Sequence, residues 1–310
     1  MVTNQLNSNV VKTFLDGLFF PEFNLNENPE IAQAEDALIF MQEKSNKAQE
    51  TLEQFKGIGD WDARGELQVA AEAQPQSLYT QTFVNAELAK GVTLSGRFFD
   101  DDQHAMVSMV VRDFANKGKA AKNKDAFSVY RDFTTTYGDG KALFSTTHPV
   151  VGGTQSNLET AKLSESSLNT LIVDLATAKE LDGVVIGRMP HCLLVNISNY
   201  KRASIILDSE LRGGTANNDL NVYSTKYNLY LKATPYIGTV AGGSDDYAFL
   251  LARNHGIMRF LRQDVKTKII DRSVRENDSY YYFGNFRQSV GPVSWVGTVA
   301  TNGTTGSYDA

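Results

Sequence analysis

A long polar stretch, residues 56 to 77, constrains this chain more than any other feature of its sequence. The stretch carries many charged and amide side chains, Trp61 as its large anchor and Pro75 near its end. Compact domains rarely contain a connection of this length without a helix or strand, and such segments are usually mobile or docked on another surface. We therefore expect this stretch to be either mobile or docked on something else.

Composition and charge exclude several classes of function. The chain of 310 residues is 42% hydrophobic and 21% charged, which predicts a folded soluble protein. Its net charge of -6 argues against a sequence-reading nucleic-acid binder, because phosphate neutralisation needs a basic face. A mildly acidic protein that encloses nucleic acid without binding it tightly is compatible with this net charge.

The sequence also indicates where the protein is made. Residues 1 to 8 have neither a basic start nor an apolar core, so no signal peptide is expected. The apolar runs are far shorter than the ~20 residues that cross a bilayer. Cys192 is the only cysteine, which excludes an intrachain disulfide, and it is expected to be a small buried apolar residue. We expect a cytoplasmic product without membrane contact.

Apolar spacing predicts the elements of the first half. Val11, Leu15 and Leu18 share one face of a short helix in an N-terminal arm, and Pro21 and the Asn-rich stretch after it are expected to break that helix. The alanine and leucine spacing from 34 to 55 predicts a second helix. The other predictions are strands at 78–83 and 89–95 and a helix that begins at the aspartates 100–102 and buries Met106, Met109, Val110 and Phe114.

The second half alternates helices and strands, which predicts an α/β module from about 160 to 260. Its predicted elements, in chain order, are an amphipathic helix after Ser164, a buried strand at 192–195, a helix around 200–207, a flexible loop at 213–219 and a half-buried strand at 227–233. The remaining predictions are C-terminal strands at 265–270, 280–286 and 293–299.

No motif for a catalytic, metal or cofactor site is recognisable. The stretch from Asp139 to Pro149 contains an acid, a lysine and a histidine, but not at a spacing expected to assemble them into a catalytic group. The four histidines, at 104, 148, 191 and 255, are expected to be structural or solvated. Asp245 and Asp246 predict a turn or helix cap in preference to a cation site. An enzyme using His148 with Lys141 or Asp139 is a minor alternative.

The densest basic cluster comprises Lys117, Lys119, Lys122 and Lys124, with Arg112 shortly before them. Cations near the C-terminal end of a helix are favoured by the helix dipole, so a solvated helix end is the first interpretation. Contact with another subunit is the second. Direct DNA contact is a lesser alternative, because no aromatic side chains are interleaved for stacking.

The order of features resembles the major capsid protein of tailed bacteriophages, and within it the Mu-type major head subunit branch. The segments that carry the resemblance are 79–95, the aspartate-led helix from 100, 142–149, 193–195 with the helix at Ala203, the Gly/Asn loop, and 228–237. One departure is Tyr247-Ala248-Phe249, where the family more usually has a tryptophan.

This resemblance implies an α+β fold of the Hong Kong 97 type. It implies an N-terminal arm and helix (1–55), an extended loop (56–77), a peripheral domain (78–159) with a long spine helix at 101–124, an axial domain (160–262) and C-terminal strands that return to the peripheral domain (263–310).

The resemblance also implies a non-enzymatic role without cofactors: pentamers and hexamers of an icosahedral phage head around double-stranded DNA. It implies assembly in the host cytoplasm, scaffolding, portal and decoration partners, and non-specific DNA contact. The residues expected at subunit contacts are Lys56, Trp61, Arg64, Glu66, Gly213, Gly214 and Asn217. The lysine–asparagine cross-link of some members has no matching motif here. The alternatives are an encapsulin-like bacterial compartment and a tail or adhesion component.

Overall fold

The first helix of the chain packs along the longest one. The computed structural model describes residues 8–26, 28–74, 76–97, 101, 104–209, 221, 223, 227, 229–271 and 279–306. Helix α1 (Ser8–Asn24) lies beside α2 (His104–Ala126), and the rings of Phe19 and Phe114 are 5.6 Å apart. The buried side chains of α1 recur every fourth residue, which places them on one stripe: Val11, Leu15, Phe19 and Phe23.

The prediction that Pro21 breaks the first helix is wrong, because α1 continues past it, but the helix does end at Asn24, where the Asn-rich stretch begins. A proline inside a helix removes one backbone hydrogen bond and costs about 3 kcal/mol. Burial offsets this cost, since Phe19 and Phe23 flank the proline and stack with centroids 5.4 Å apart. The N-terminal segment is therefore packed on the body of the protein.

The predicted helix over residues 34 to 55 is also wrong. The segment forms turns and then two strands, β1 (Met41–Lys44) and β2 (Gln49–Phe55). Strand β1 pairs in parallel with β11 (Ile257–Asp271), far away in the sequence. Ile39 and Phe40 are fully buried just before β1. Long-range pairing and burial thus override the local helical spacing.

A four-stranded sheet has the order β1-β11-β12-β4. Strand β12 (Ser279–Pro292) pairs antiparallel with both β11 and β4 (Ala86–Ser95). The predicted strands at 89–95, 265–270 and 280–286 are confirmed, and each observed strand is longer than predicted.

Helix α2 covers one face of this sheet with a stripe that agrees with the predicted one at Phe114 and Val110 and differs from it elsewhere. Val107 and Val111 are buried in the cluster that contains Tyr282, whereas Met106 and Met109 are exposed. The helix itself is confirmed from His104 onward, while Asp100 and Asp102 lie outside the described residues.

A five-stranded sheet has the order β7-β13-β10-β8-β9. Its strands are β7 (Leu158–Ala161), β8 (Pro190–Asn196), β9 (Tyr230–Thr234), β10 (Ala248–Ala252) and β13 (Thr298–Thr305). The predicted buried strand at 192–195 is confirmed. The predicted strand at 293–299 is wrong in its first half, where a turn with Gly297 at φ 91° separates β12 from β13.

Two helices pack on this sheet as predicted. Helix α4 (Glu165–Thr177) begins at Ser164, whose hydroxyl accepts from Ser167 N at 3.2 Å, and it buries Leu168, Leu171, Ile172 and Leu175. Helix α5 (Tyr200–Asp208) buries Ala203 and Leu207 in the same cluster. The short elements are α3 (Ser128–Arg131), β5 (His148–Val150) and β6 (Gly153–Gln155). Among the helices of the described residues, none has the length and apolar character needed to span a bilayer.

The interpretation of the basic cluster as a solvated helix end fails at Lys122. This side chain is 5% exposed and forms ion pairs with Glu35 and with Asp264, the latter at 3.3 Å. Its ammonium group also lies 5.4 Å from the centroid of the Phe23 ring. Lys117, by contrast, forms an exposed ion pair with Asp113. Lys122 therefore joins α2 to the segment that precedes β1.

A carboxyl group on α4 makes stability depend on pH. Burial, followed by the charge of Glu159, raises the pKa of Asp174 to about 6. Because the ordinary value is near 3.8, the folded state keeps this proton at pH values where the unfolded chain has lost it. Stability from this group is therefore present below about pH 4 and is lost as the pH rises toward 6. We expect Asp174→Asn to raise the free energy of unfolding at pH 8 and to leave it nearly unchanged at pH 3.5. Urea titrations at the two pH values test this, and an equal effect at both would contradict it.

Candidate functional site

A protruding hairpin with a long tip is the candidate assembly site of the subunit. Strand β2 pairs antiparallel with β3 (Ser77–Val84), from Gln49 opposite Val84 to Phe55 opposite Ser77. Lys56 N donates to Gln76 O at 3.0 Å and closes the paired region. The predicted strand at 78–83 is confirmed. Beyond this closure, the described residues 57–74 lie outside any helix or strand.

The tip exposes large apolar side chains. Trp61 is 94% exposed, Leu67 is 97% exposed and Val69 is 88% exposed. A turn at the far end is held by Gln68 N, which donates to Gly65 O at 3.2 Å, and by Arg64 Nε, which donates to Gln68 O. Exposed apolar side chains that lie together mark interaction surfaces on soluble proteins. The tip therefore has the exposed apolar character that is typical of a contact surface.

The root of the tip is fixed to the body of the subunit. Gly59 N donates to Asp182 Oδ2 at 3.0 Å. Gly57 has φ 100°, and a Cβ there would lie 2.1 Å from Asp182 Oδ2, so only glycine fits at this position. On the other side of the root, Gln54 Nε2 donates to Ser294 Oγ at 2.9 Å. Hydrogen bonds on both sides of the root thus fix where the hairpin joins the rest of the protein.

Four of the predicted contact residues lie in this segment. Lys56 is half-buried at the closure of the hairpin, and Trp61, Arg64 and Glu66 are exposed on the tip. The other three, Gly213, Gly214 and Asn217, lie outside the described residues.

Sequence reasoning named Trp61 alone as the large anchor and missed Leu67 and Val69. A signal was available, since apolar residues alternate with polar ones from Glu66 onward.

A buried polar cluster lies close to the hairpin root. His148 Nδ1 is 2.6 Å from Asp139 Oδ2, and His148 Nε2 is 3.1 Å from Asn157 Oδ1. Asn157 is itself fixed, because its Nδ2 donates to Leu143 O and its Oδ1 accepts from Ser145 N, each at 2.8 Å. The fold thus brings the acid and the histidine of the Asp139–Pro149 stretch into contact, which their spacing in the sequence does not indicate.

This cluster is closed to substrates. The side chains of His148 and Asp139 are 1% and 5% exposed, and the His148 ring stacks on Trp295 with centroids 4.3 Å apart. Both ring nitrogens are engaged, and Lys141 contributes its backbone N–H to Asp139 Oδ1 at 3.0 Å. The geometry describes a structural clasp that ties β5 to the turn between β12 and β13.

The remaining polar candidates have structural surroundings. Burial lowers the pKa of His255 to about 4, and it lowers the pKa of His191, which packs edge-on against Tyr230. The side chain of His104 lies outside the described residues. Asp245 Oδ1 accepts from Thr239 N at 3.0 Å, which confirms a turn. Within the described ranges, no cluster of three or more His, Cys, Asp or Glu side chains is placed to hold a metal ion.

Comparison with known proteins gives one family match and several fold matches. Residues 30–167, which include the whole hairpin, match the family model "Mu-like prophage major head subunit gpT". No curated protein has a significant sequence match to the chain.

The chain is similar in structure to phage proteins and to a virus-like particle protein. The capsid of Myoviridae phage XM1 has a TM-score of 0.57 and 12% identity, covering 91% of this chain and 95% of that one. Mycobacterium phage Ogopogo gives 0.53 and 10%, covering 91% and 97%. The virus-like particle from Pyrococcus furiosus gives 0.51 and 10%, covering 93% and 97%. At these identities the matches define the fold, and they span nearly all of each chain. The chain therefore has the α+β capsid fold of the Hong Kong 97 type, and its residues 30–167 match the Mu-like phage major head subunit family.

Proposed function

We propose that this chain is the major capsid subunit of a phage head. In this proposal, copies assemble into pentamers and hexamers of an icosahedral shell that encloses double-stranded DNA. The observation that carries the proposal is the hairpin tip, which presents Trp61, Leu67 and Val69 to solvent from a root fixed by Asp182. The capsid fold and the family match over residues 30–167 support it.

Burial on neighbouring copies gives the tip a thermodynamic role. Burying one Leu or Val side chain stabilises an interface by about 1.5–3 kcal/mol, which is weak beside the entropy lost on association. In a closed shell every subunit both offers and receives such contacts, so modest interactions combine into a stable container. The function is structural, and it requires no cofactor.

The other parts of the chain receive roles within the same proposal. The module at 160–262 is the axial domain at the local symmetry axis, with the loop of Gly213, Gly214 and Asn217 at subunit contacts. The α2 region forms the spine of the peripheral domain. A net charge of -6 suits a wall that touches packaged DNA only non-specifically. Scaffolding, portal and decoration proteins are the proposed partners, with assembly in the host cytoplasm and a final location in the virion.

An encapsulin-like compartment is the alternative that shares this fold. The family match favours the phage head, because it is to a phage head subunit over the segment that contains the hairpin. Particles from expressed protein, imaged by negative-stain electron microscopy, test whether the chain forms shells. Particles purified from phage-infected cells distinguish the two shells, since a phage head contains DNA and an enzyme compartment contains protein cargo.

The first mutational test concerns the tip. We expect Trp61→Ala to reduce particle yield strongly while the melting temperature of the subunit stays within about 1 °C, because a side chain that contacts solvent contributes little to subunit stability. Sedimentation velocity measures the yield, and circular dichroism measures the melt. Trp61→Phe is the matched control and should keep most of the yield. Parallel losses of yield and melting temperature in Trp61→Ala would contradict an assembly role.

A further inference from the structure

The indole N–H of Trp295 is buried without a hydrogen-bond partner. Trp295 lies in the turn between β12 and β13 and is only 5% exposed, and its Nε1 forms no hydrogen bond to any described residue. Stacking on His148, with centroids 4.3 Å apart and the rings 11° from parallel, holds the indole in this orientation. An unpaired buried donor destabilises a fold, and nearly all buried donors in native proteins bond to protein or to ordered water. Trp295 Nε1 therefore requires an acceptor that the described residues do not provide.

The neighbouring hydroxyl group, on Ser294, also has a hydrogen to donate. Its Oγ accepts from Gln54 Nε2 at 2.9 Å and from Val296 N at 3.2 Å. A hydroxyl has two acceptor lone pairs and one hydrogen, so these two bonds use both lone pairs. The hydrogen remains for a further acceptor. Two consecutive residues of this turn thus each have a hydrogen to donate.

A small cavity adjoins both residues. Its volume is about 20 Å³, and its wall includes Trp295, Ser294, Asp139 and Gln54. A volume of about 10–15 Å³ is enough for one water molecule, and a buried water needs two to four polar partners. Asp139 offers acceptor positions, because a carboxylate has about four of them and the bonds of the clasp use two. Gln54 offers its amide oxygen, because its amide nitrogen is the atom that bonds to Ser294.

We propose that this cavity binds one water molecule, which accepts from Trp295 Nε1 and Ser294 Oγ and donates to the carboxylate of Asp139 and the amide oxygen of Gln54. The set of donors and acceptors identifies the ligand. A metal or ammonium cation does not accept from Trp295, and a halide ion does not donate to Asp139, whereas a water molecule does both. The water joins three segments that are distant in sequence: the root of the hairpin, the clasp, and the turn between β12 and β13.

Raman spectroscopy of the indole group tests this site. The sequence has two tryptophans, so Trp295 is the only one in a Trp61→Phe background. We expect the tryptophan band that responds to N–H hydrogen bonding to have the frequency of a bonded indole. Ala142→Val, in the wall of the cavity, should expel the water and shift the band to the frequency of an unbonded indole. Ala89→Val, on the exposed part of β4, is the matched control and should leave the band in place.

Two results would overturn the water site. An unbonded frequency in the Trp61→Phe background would show that Trp295 Nε1 has no acceptor, and a bonded frequency that persists in Ala142→Val would show that a protein group accepts from it. A high-resolution density map of the parent chain decides the question without any substitution. We expect density for one water at about 2.7–3.2 Å from Trp295 Nε1. A map with an empty cavity, or with a side chain in it, would equally overturn the site, whether or not the chain forms shells.

Discussion

A chain in which Asn-Gly replaces residues 57–75 is expected to fold as a soluble subunit and to fail to close shells. The replacement joins Lys56 to Gln76, whose backbone groups already bond at 3.0 Å, and Asn-Gly is the favoured sequence for such a two-residue turn. The replacement removes few of the described contacts between the tip and the body of the protein, chiefly the hydrogen bond from Gly59 N to Asp182 Oδ2. The deleted tip, however, carries the uncovered Trp61, Leu67 and Val69.

Two measurements decide this prediction. Thermal unfolding followed by circular dichroism should change by only a few degrees, while sedimentation velocity and electron microscopy should show no particles. A chain that keeps the length of residues 57–75 as a Gly/Ser linker is the matched control, and it should also fail, because it lacks the exposed apolar side chains of the tip. Normal particles from the shortened chain would remove the tip from the assembly mechanism.

The second large effect is expected in the buried clasp near the hairpin root. Asp139→Ala should lower the free energy of unfolding by about 3 kcal/mol, because it leaves a buried His148 without its carboxylate and Lys141 N without its acceptor. Asp113→Ala is the matched control: it removes an aspartate from an exposed ion pair with Lys117 and should cost no more than about 0.5 kcal/mol. Chemical denaturation of both variants provides the measurement.

A double-mutant cycle tests whether the clasp acts as a pair. Once Asp139 is absent, replacing His148 by leucine removes the group that was left unpaired. We therefore expect the loss in Asp139→Ala/His148→Leu to be clearly smaller than the sum of the two single losses. Additive losses would show that Asp139 and His148 stabilise the fold independently.

The parts of the fold that were predicted correctly depend on local signals. Ser164 begins α4 because its hydroxyl caps the first turn, and the run Cys192–Val195 is buried on both faces, as expected of a central strand. The wrong predictions concern segments whose secondary structure is set by residues far away in the sequence. The segment 34–55 forms strands because β11 and β3 are there to pair with it. Pro21 is accommodated because Phe19 and Phe23 have buried sites on α2.

The candidate site was located by the same kind of reasoning and with the same limits. A long polar stretch without an internal partner predicted the protruding tip, and Trp61 was recognised in it. Leu67 and Val69 were missed because the stretch was interpreted by its polarity and not by its alternation. The contact between Asp139 and His148 could not be predicted from the sequence, since it forms only in the folded chain, where Asn157 bonds to His148 and to Ser145 N.

The hydrogen bond from Gly59 N to Asp182 Oδ2 couples the hairpin tip to the rest of the protein. Asp182 lies in the connection between α4 and β8, so in the proposed shell a displacement of the tip would act on that connection. Neighbouring copies that move apart would then load one carboxylate and one backbone amide in each subunit.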